Sequence, residues 1–307
     1  GAMCALPVAI SLAADLSAPE RRGRSLLLLS LGKIVGGAAA FAAGGAVFAA
    51  LDASGERFAG LEPWRAVQLV FAGVSLLLAV PLLFMREPER REVSAETATL
   101  VEALAEIWSR RAFLGPLFLG QIGVVLADVA ALVWAAPVLT RAYGQQPGDF
   151  AGWMGLALLV SGVLGSLIGG FGADRGMKSG RKGGVLTAAV LCALIAIPAA
   201  LFPLAPNVPV FGVALAVLLL CGSACGLITA TALAVVVPNQ IRGVCLSAFI
   251  VLASIIGFGV GPTLVTVCAD LMGGETRLPQ ALAITGLVVN LISAAGFLTA
   301  WRQARRA

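Results

Sequence analysis

The chain contains nine apolar stretches, and their lengths constrain its fold more than any other feature. They occupy residues 1–17, 24–51, 64–85, 112–140, 149–173, 183–204, 208–237, 243–268 and 279–301. A helix of about 20 apolar residues spans the hydrocarbon core of a bilayer, and every stretch after the first reaches that length. The composition agrees, because 59% of the residues are hydrophobic and only 12% are charged. We therefore predict an all-α integral membrane protein with nine transmembrane helices.

The basic residues predict the orientation of these helices. Sixteen of the 21 Lys and Arg residues lie in every second connection or after the last stretch, whereas only four lie in the alternate connections. Positive charge concentrates on the cytoplasmic side of membrane proteins, so the basic connections and the C-terminus are predicted to be cytoplasmic. The net charge of +5 then reflects the orientation of the helices in the membrane and does not indicate nucleic-acid binding.

The residue types that support most catalytic and metal sites are scarce. The chain has no histidine, which excludes histidine metal ligands, histidine proton relays and Ser-His-Asp catalysis. Cys221 and Cys225 share a helix face, but no second pair completes a metal site. All six cysteines lie in or beside apolar stretches, where a free thiol packs as a small apolar group. We predict no enzyme activity, no metal and no cofactor.

Two basic turns indicate an internal repeat. The turn after the first stretch contains Glu20, Arg21 and Arg22 followed by glycine, and the turn after the seventh contains Arg242 followed by glycine. The two turns are six helices apart, and parallel six-helix repeats are a known transporter architecture. The first three stretches are therefore predicted to be the second half of one bundle, and the last six a complete bundle.

The connection after the fifth stretch resembles a family signature. It contains Gly170, Asp174 and Arg175, followed by Arg181 and Lys182. This pattern resembles the cytoplasmic signature loop of the major facilitator superfamily, and the turn at 19–23 resembles the family's connection between helices four and five. Three short segments, at 13–15, 86–88 and 259–265, resemble bacterial spinster-like transporters of that superfamily.

The resemblance implies a domain organisation and a function. Residues 1–91 would be a partial N-terminal bundle (helices four to six), 92–111 a cytoplasmic linker with an interfacial amphipathic helix, and 112–307 a complete C-terminal bundle. The chain would be a multi-pass transporter of the bacterial inner membrane. It would work by alternating access, coupled to protons, on a small amphiphile or organic anion such as a lysolipid.

An alternative of a different class stays open at this point. Helices one to three have no counterpart in the chain, and the family's acidic residue early in helix four corresponds to Ala2. The chain would then be a truncated membrane remnant or scaffold that transports nothing. The oligomeric state is not predicted.

Asp128 is the most unusual residue of the predicted cavity. It lies midway along the 112–140 stretch, where a charge costs about 2.5–3.5 kcal/mol on insertion scales. Gln121 lies two turns earlier on the same face. Asp128 is either a protonatable or substrate-contacting group, or a protonated carboxyl that hydrogen-bonds a neighbouring helix. Trp134 on the same helix, and Thr229 and Thr231 on the 208–237 stretch, complete the predicted substrate and proton site.

Further charges and glycines have predicted roles in gating and packing. The resemblance implies, through the family's symmetry, that Asp174 faces the helix N-terminus near Arg22, where a carboxylate contributes about 0.3–1 kcal/mol. Lys33, inside the second stretch, either snorkels to the interface, pairs with an acid or binds substrate. Glycines at four-residue spacing are predicted to let helices approach closely, either between the bundles or as general membrane packing. They include Gly165 with Gly169 and Gly257 with Gly261.

Overall fold

The computed structural model describes residues 22–54, 61–84, 108–236 and 239–306, which are helical apart from short connections. These ranges contain eight α-helices: α1 Arg22–Ser54, α2 Pro63–Ala79, α3 Arg111–Ala142, α4 Pro147–Lys178, α5 Thr187–Ala199, α6 Val208–Val236, α7 Asn239–Leu271 and α8 Leu278–Arg306. They correspond to the second to ninth apolar stretches. The predicted all-α fold is confirmed. The first stretch lies outside the described residues, so the count of nine stays a prediction.

Most of these helices are long enough to cross a bilayer. Within the described ranges, seven helical segments have the length and hydropathy of membrane spans: Ile34–Ala53, Arg111–Ala142, Pro147–Lys178, Gly184–Leu204, Val208–Leu233, Phe249–Leu271 and Glu275–Arg306. Helix α2 has 17 residues and is extended by a short 3₁₀ segment, Val80–Phe84. Apolar side chains on the outside of such helices are the surface that lipid would cover.

The chain folds into two compact units. One comprises Gly1–Ser94 with Gln145–Leu159, and the other Ala95–Gly144 with Val160–Ala307. Helix α4 contributes its first half to one unit and its second half to the other. The predicted boundaries of the bundles, at residues 91 and 112, did not anticipate that the two units share α4. The assignment of helices to bundles stays a prediction.

In the first unit, α1 and the first half of α4 approach through small residues. Gly45 lies directly against Ala151. A Cβ built on Gly155 would lie 2.9 Å from the carbonyl oxygen of Ala38 and 2.9 Å from the Cβ of Ala42. Backbones this close require glycine or alanine on both helices. The close contact of this part of α4 depends on Gly155, whereas the predicted Gly165 lies in the other unit.

In the second unit, α3 and α8 form a tight contact. A Cβ on Gly296 would lie 2.6 Å from the backbone nitrogen of Gly120, and a Cβ on Gly123 would lie 2.8 Å from the carbonyl oxygen of Val289. The buried Ser293 hydroxyl donates a hydrogen bond to the Gly120 carbonyl at 2.8 Å. These small residues let the two backbones approach closely, and the serine hydroxyl keeps a hydrogen-bond partner in the Gly120 carbonyl.

The predicted glycine pairs also make close contacts inside this unit. Gly165 lies against the Leu220 carbonyl of α6, and a Cβ on Gly169 would lie 2.7 Å from the Ala224 carbonyl oxygen. Gly257 of α7 lies against Val125 of α3. The predicted close approach is therefore present within the unit. A role for these glycines between bundles stays a prediction.

One end of the second unit is fixed by aromatic and ionic contacts. Tyr143, just after α3, donates a hydrogen bond to the Ala205 carbonyl at 2.7 Å, and its ring packs edge-on against Phe211. The guanidinium of Arg141 pairs with the Glu275 carboxylate at 2.9 Å. These contacts hold the end of α3 against the connections that precede α6 and α8.

Candidate functional site

The buried polar side chains of α3 and α6 meet between these two helices. Gln121 is 5% exposed and Thr229 is fully buried. The Thr229 hydroxyl donates a hydrogen bond to Gln121 Oε1 at 2.9 Å. Gly226, one turn before Thr229, lies beside the Gln121 amide, because a Cβ there would be 3.7 Å from Nε2. Both partners were predicted as site residues, and the structure brings them together.

Asp128 lies two turns further along α3 and contacts α6 at Gly222. Its carboxylate occupies the space that a Cβ on Gly222 would need. Cys221 precedes Gly222 directly in the sequence, and Cys225 lies about one turn further along α6. The Asp128 side chain is half-buried, and no hydrogen bond or ion pair to its carboxylate is found among the described residues. The contact therefore places a carboxylate directly against the backbone of α6.

The other two predicted site residues on these helices make different contacts. The Trp134 indole N–H donates to the Pro262 carbonyl of α7 at 3.2 Å, so this side chain faces α7. The Thr231 hydroxyl donates to the Leu227 carbonyl of its own helix at 2.9 Å. Three of the five predicted residues thus share the α3–α6 contact, whereas Trp134 and Thr231 do not belong to it.

The structure adds a residue that the sequence reasoning missed. Gly222 is the position on α6 that admits the Asp128 carboxylate, since any larger residue would occupy the same space. Its four-residue spacing from Gly226 was available in the sequence. The spacing alone could not indicate which helix would approach it.

The signature segment is more helical than the sequence suggested. The predicted connection began after residue 173, but α4 continues through Asp174 and Arg175 to Lys178. Basic residues in the last turn interact favourably with the helix dipole, which favours this extension. The turn that follows contains two glycines with positive φ, Gly180 at 63° and Gly183 at 73°.

The charged residues of this segment lie on the surface. Asp174, Arg175, Arg181 and Lys182 are exposed, and Gly170 is half-buried near Leu227. Surface positions suit the predicted contacts with lipid headgroups. The predicted gate between Asp174 and the start of α1 stays a prediction.

Several predicted residues lie outside the described part of the chain. Glu20 and Arg21 precede it, and most of the predicted interfacial helix at 94–111 falls in the undescribed range 85–107. Arg22, Lys33 and Arg242 lie on described helices, but their side chains are not described. Their proposed roles stay predictions.

The long apolar helices define a multi-pass membrane protein. The Asp128 carboxylate and the Gln121–Thr229 pair form a polar site between two of these helices, α3 and α6. The family model of the Major Facilitator Superfamily matches residues 1–262. The chain therefore belongs to the major facilitator superfamily, a family of membrane transporters, and the predicted resemblance is confirmed.

Solved structures show the same fold. The chain is similar to a bacterial homologue of the human lysosomal transporter Spinster in an inward-facing, unoccupied conformation, with 23% identity and a TM-score of 0.78 over 97% of this chain and 74% of that one. It is also similar to the inward-facing, occupied conformation, with 22% identity and a TM-score of 0.75 over 96% and 73% of the two chains. At these identities the likeness shows the fold. A comparison with curated proteins gave no significant match.

Proposed function

We propose that the chain carries out secondary active transport by alternating access, coupled to protons, on a small amphiphile or organic anion such as a lysolipid. Membership of the superfamily supports transport as the general activity. The Asp128 carboxylate against α6, two turns from the Gln121–Thr229 pair on the same pair of helices, is the observation that supports the finer proposal.

Asp128 is the proposed proton carrier. A carboxylate in a membrane span is costly, and such residues often serve proton relays. In the described structure this carboxylate has no cationic partner that would hold it permanently charged. Protonation would remove the charge without breaking an ion pair, so the group is suited to gain and lose a proton during transport.

Gln121 is the proposed contact for the polar part of the substrate. Its Oε1 accepts the Thr229 hydrogen, while its Nε2 has no hydrogen-bond partner among the described residues. An amide N–H suits an acceptor such as a phosphate or carboxylate oxygen. The surrounding side chains of α3 and α6 are mostly apolar, which suits the rest of an amphiphile.

The experiment is uptake of a labelled lysolipid into proteoliposomes under an imposed pH gradient. Asp128→Asn keeps the size of the side chain and removes its titration. We expect it to reduce gradient-driven accumulation more than tenfold, about 1.4 kcal/mol in the rate-limiting step. The matched control is Asp270→Asn, because Asp270 is an exposed carboxylate near the end of α7.

Two results would contradict the proposal. If Asp128→Asn accumulates substrate like the unmodified chain, Asp128 does not carry the proton. If the unmodified chain moves neither lysolipids nor small organic anions, the proposed activity fails and the alternative of a transport-inactive remnant or scaffold is favoured.

A further inference from the structure

Three buried cysteines meet between α5 and α6, and the proposed transport mechanism does not use them. The two helices follow each other through the short segment Phe202–Leu204 and form an antiparallel hairpin. The Cys225 thiol donates to the Ala189 carbonyl of α5, with 3.6 Å between sulfur and oxygen. Ala189 lies one turn before Cys192, so Cys225 faces the part of α5 that carries Cys192.

Cys192 lies opposite the other two thiols. The contact between Cys225 and Ala189 sets the antiparallel register of the two helices, in which Cys192, one turn after Ala189, faces Cys221, one turn before Cys225. The latter two are four residues apart and therefore lie on one face of α6. The three residues are 7%, 2% and 1% exposed respectively, so water and large reagents reach them poorly.

Thiol–thiol chemistry fits this cluster better than metal binding does. No group of Cys, Asp or Glu residues in the described ranges is arranged to hold a metal ion. The three thiols are free. A disulfide requires two cysteines whose Cβ atoms face each other across a short gap, which a thiol of α5 beside two thiols of α6 can provide.

We propose that Cys192 is a redox-modification site, forming a reversible disulfide with Cys221 or Cys225 when a small uncharged peroxide reaches the membrane interior. The Cys192 sulfur attacks one oxygen of hydrogen peroxide and the O–O bond breaks. The thiol proton passes to the departing hydroxide, which gives a sulfenic acid and one water. The sulfur of Cys221 or Cys225 then attacks the sulfenic sulfur, the S–O bond breaks and a second water leaves. Two thiols are oxidised and one peroxide is reduced, and a dithiol reductant reverses the bond.

The disulfide would tie α5 to α6 beside the candidate site. Cys221 and Cys225 lie on either side of Gly222 in the sequence, and the Asp128 carboxylate packs against Gly222. If the proposed function holds, the bond would slow transport by restricting α6. Formation of the bond itself does not depend on that function.

The test is mass spectrometry of the full chain, in liposomes, after treatment with hydrogen peroxide. The treatment is continued until Cys268, which is half-buried on α7 and outside the cluster, no longer reacts with an alkylating reagent. Chymotrypsin cuts after Phe211 and so separates Cys192 from the other two thiols. We expect a peptide pair joined through Cys192 that separates on treatment with dithiothreitol.

Single variants identify the partners. Cys192→Ser removes the joined pair completely, whereas Cys221→Ser or Cys225→Ser leaves the pair formed with the remaining thiol. Thermal unfolding of each variant checks that it is folded. The proposal is overturned if Cys268 is consumed and no joined peptide forms in the unmodified chain, or if the pair persists in folded Cys192→Ser. Loss of transport activity with no joined peptide would also count against it.

Discussion

Helix α3 packs closely against α8 on one side and against α6 on the other, and glycine permits both contacts. Toward α8, the polar group is a serine hydroxyl that is fully paired with the Gly120 carbonyl. Toward α6, the groups are a carboxylate without a hydrogen-bond partner among the described residues and an amide that is paired only through its oxygen. In both contacts a glycine admits the neighbouring helix, but only toward α8 is the polar group fully hydrogen-bonded. This difference separates a packing contact from a candidate site.

The largest expected effect is on the α3–α8 side. In Gly296→Ala, the new Cβ would lie 2.6 Å from the backbone nitrogen of Gly120, and backbone atoms cannot move aside cheaply. We expect a loss of about 1–3 kcal/mol in the free energy of unfolding, as for other overpacked cores. Unfolding in detergent measures it. The control is Gly259→Ala, which has no atom within 4 Å of its Cβ position. Equal stability of the two variants would show that the α3–α8 contact is looser than described.

The corresponding change on the α6 side should act on transport more than on stability. In Gly222→Ala, the new Cβ meets the Asp128 carboxylate, the end of a side chain that can rotate away. We expect uptake driven by a pH gradient to fall about tenfold, equivalent to about 1.4 kcal/mol, with a smaller loss of stability than in Gly296→Ala. Gly259→Ala is again the control, because its Cβ position has no atom within 4 Å and lies outside the candidate site. If less protein folds but transport per folded molecule is unchanged, Gly222 serves packing only.

The two hydroxyl groups give a finer comparison. Thr229→Val leaves Gln121 Oε1 unpaired, and Ser293→Ala leaves the Gly120 carbonyl without this donor. Each lost hydrogen bond should cost about 1 kcal/mol of stability. Only Thr229→Val should also raise the KM for substrate, by several-fold, because only Gln121 is proposed to contact it. Equal KM values in both variants would remove Gln121 from the proposed site.

The smallest effect is expected far from both contacts. Arg141 and Glu275 pair at 2.9 Å, but their side chains are 52% and 81% exposed. Such ion pairs contribute about 0–1 kcal/mol, and salt screens them. Arg141→Ala should therefore lower the free energy of unfolding by less than Gly296→Ala does, and it should leave the rate of transport unaltered. A transport defect in Arg141→Ala would indicate that this end of the unit takes part in gating.

The helices could be predicted from the sequence because length and hydropathy determine membrane spans. The predicted stretch 208–237 corresponds to Val208–Val236, and 112–140 to Arg111–Ala142. Helix α4 was predicted too short because its last turns are polar and glycine-rich. Hydropathy marks where a helix leaves the bilayer, whereas backbone hydrogen bonds decide where it ends.

The site could be predicted only in part. The helical period placed Gln121 and Asp128 on one face of α3, and the cost of a membrane charge made Asp128 stand out. The partner positions on α6 depend on the register between two helices that lie far apart in the sequence. Gly222 and the pairing of Thr229 with Gln121 therefore emerged only from the structure, as did the meeting of Cys192 with two thiols of α6.

The central claim is that Asp128 moves protons in step with substrate. The most direct measurement follows internal pH with a trapped dye in proteoliposomes while lysolipid is added outside. We predict a substrate-dependent proton flux in the unmodified chain and in Asp270→Asn, and none in Asp128→Asn even where substrate still exchanges across the membrane. A flux in Asp128→Asn equal to that of the unmodified chain would contradict the account.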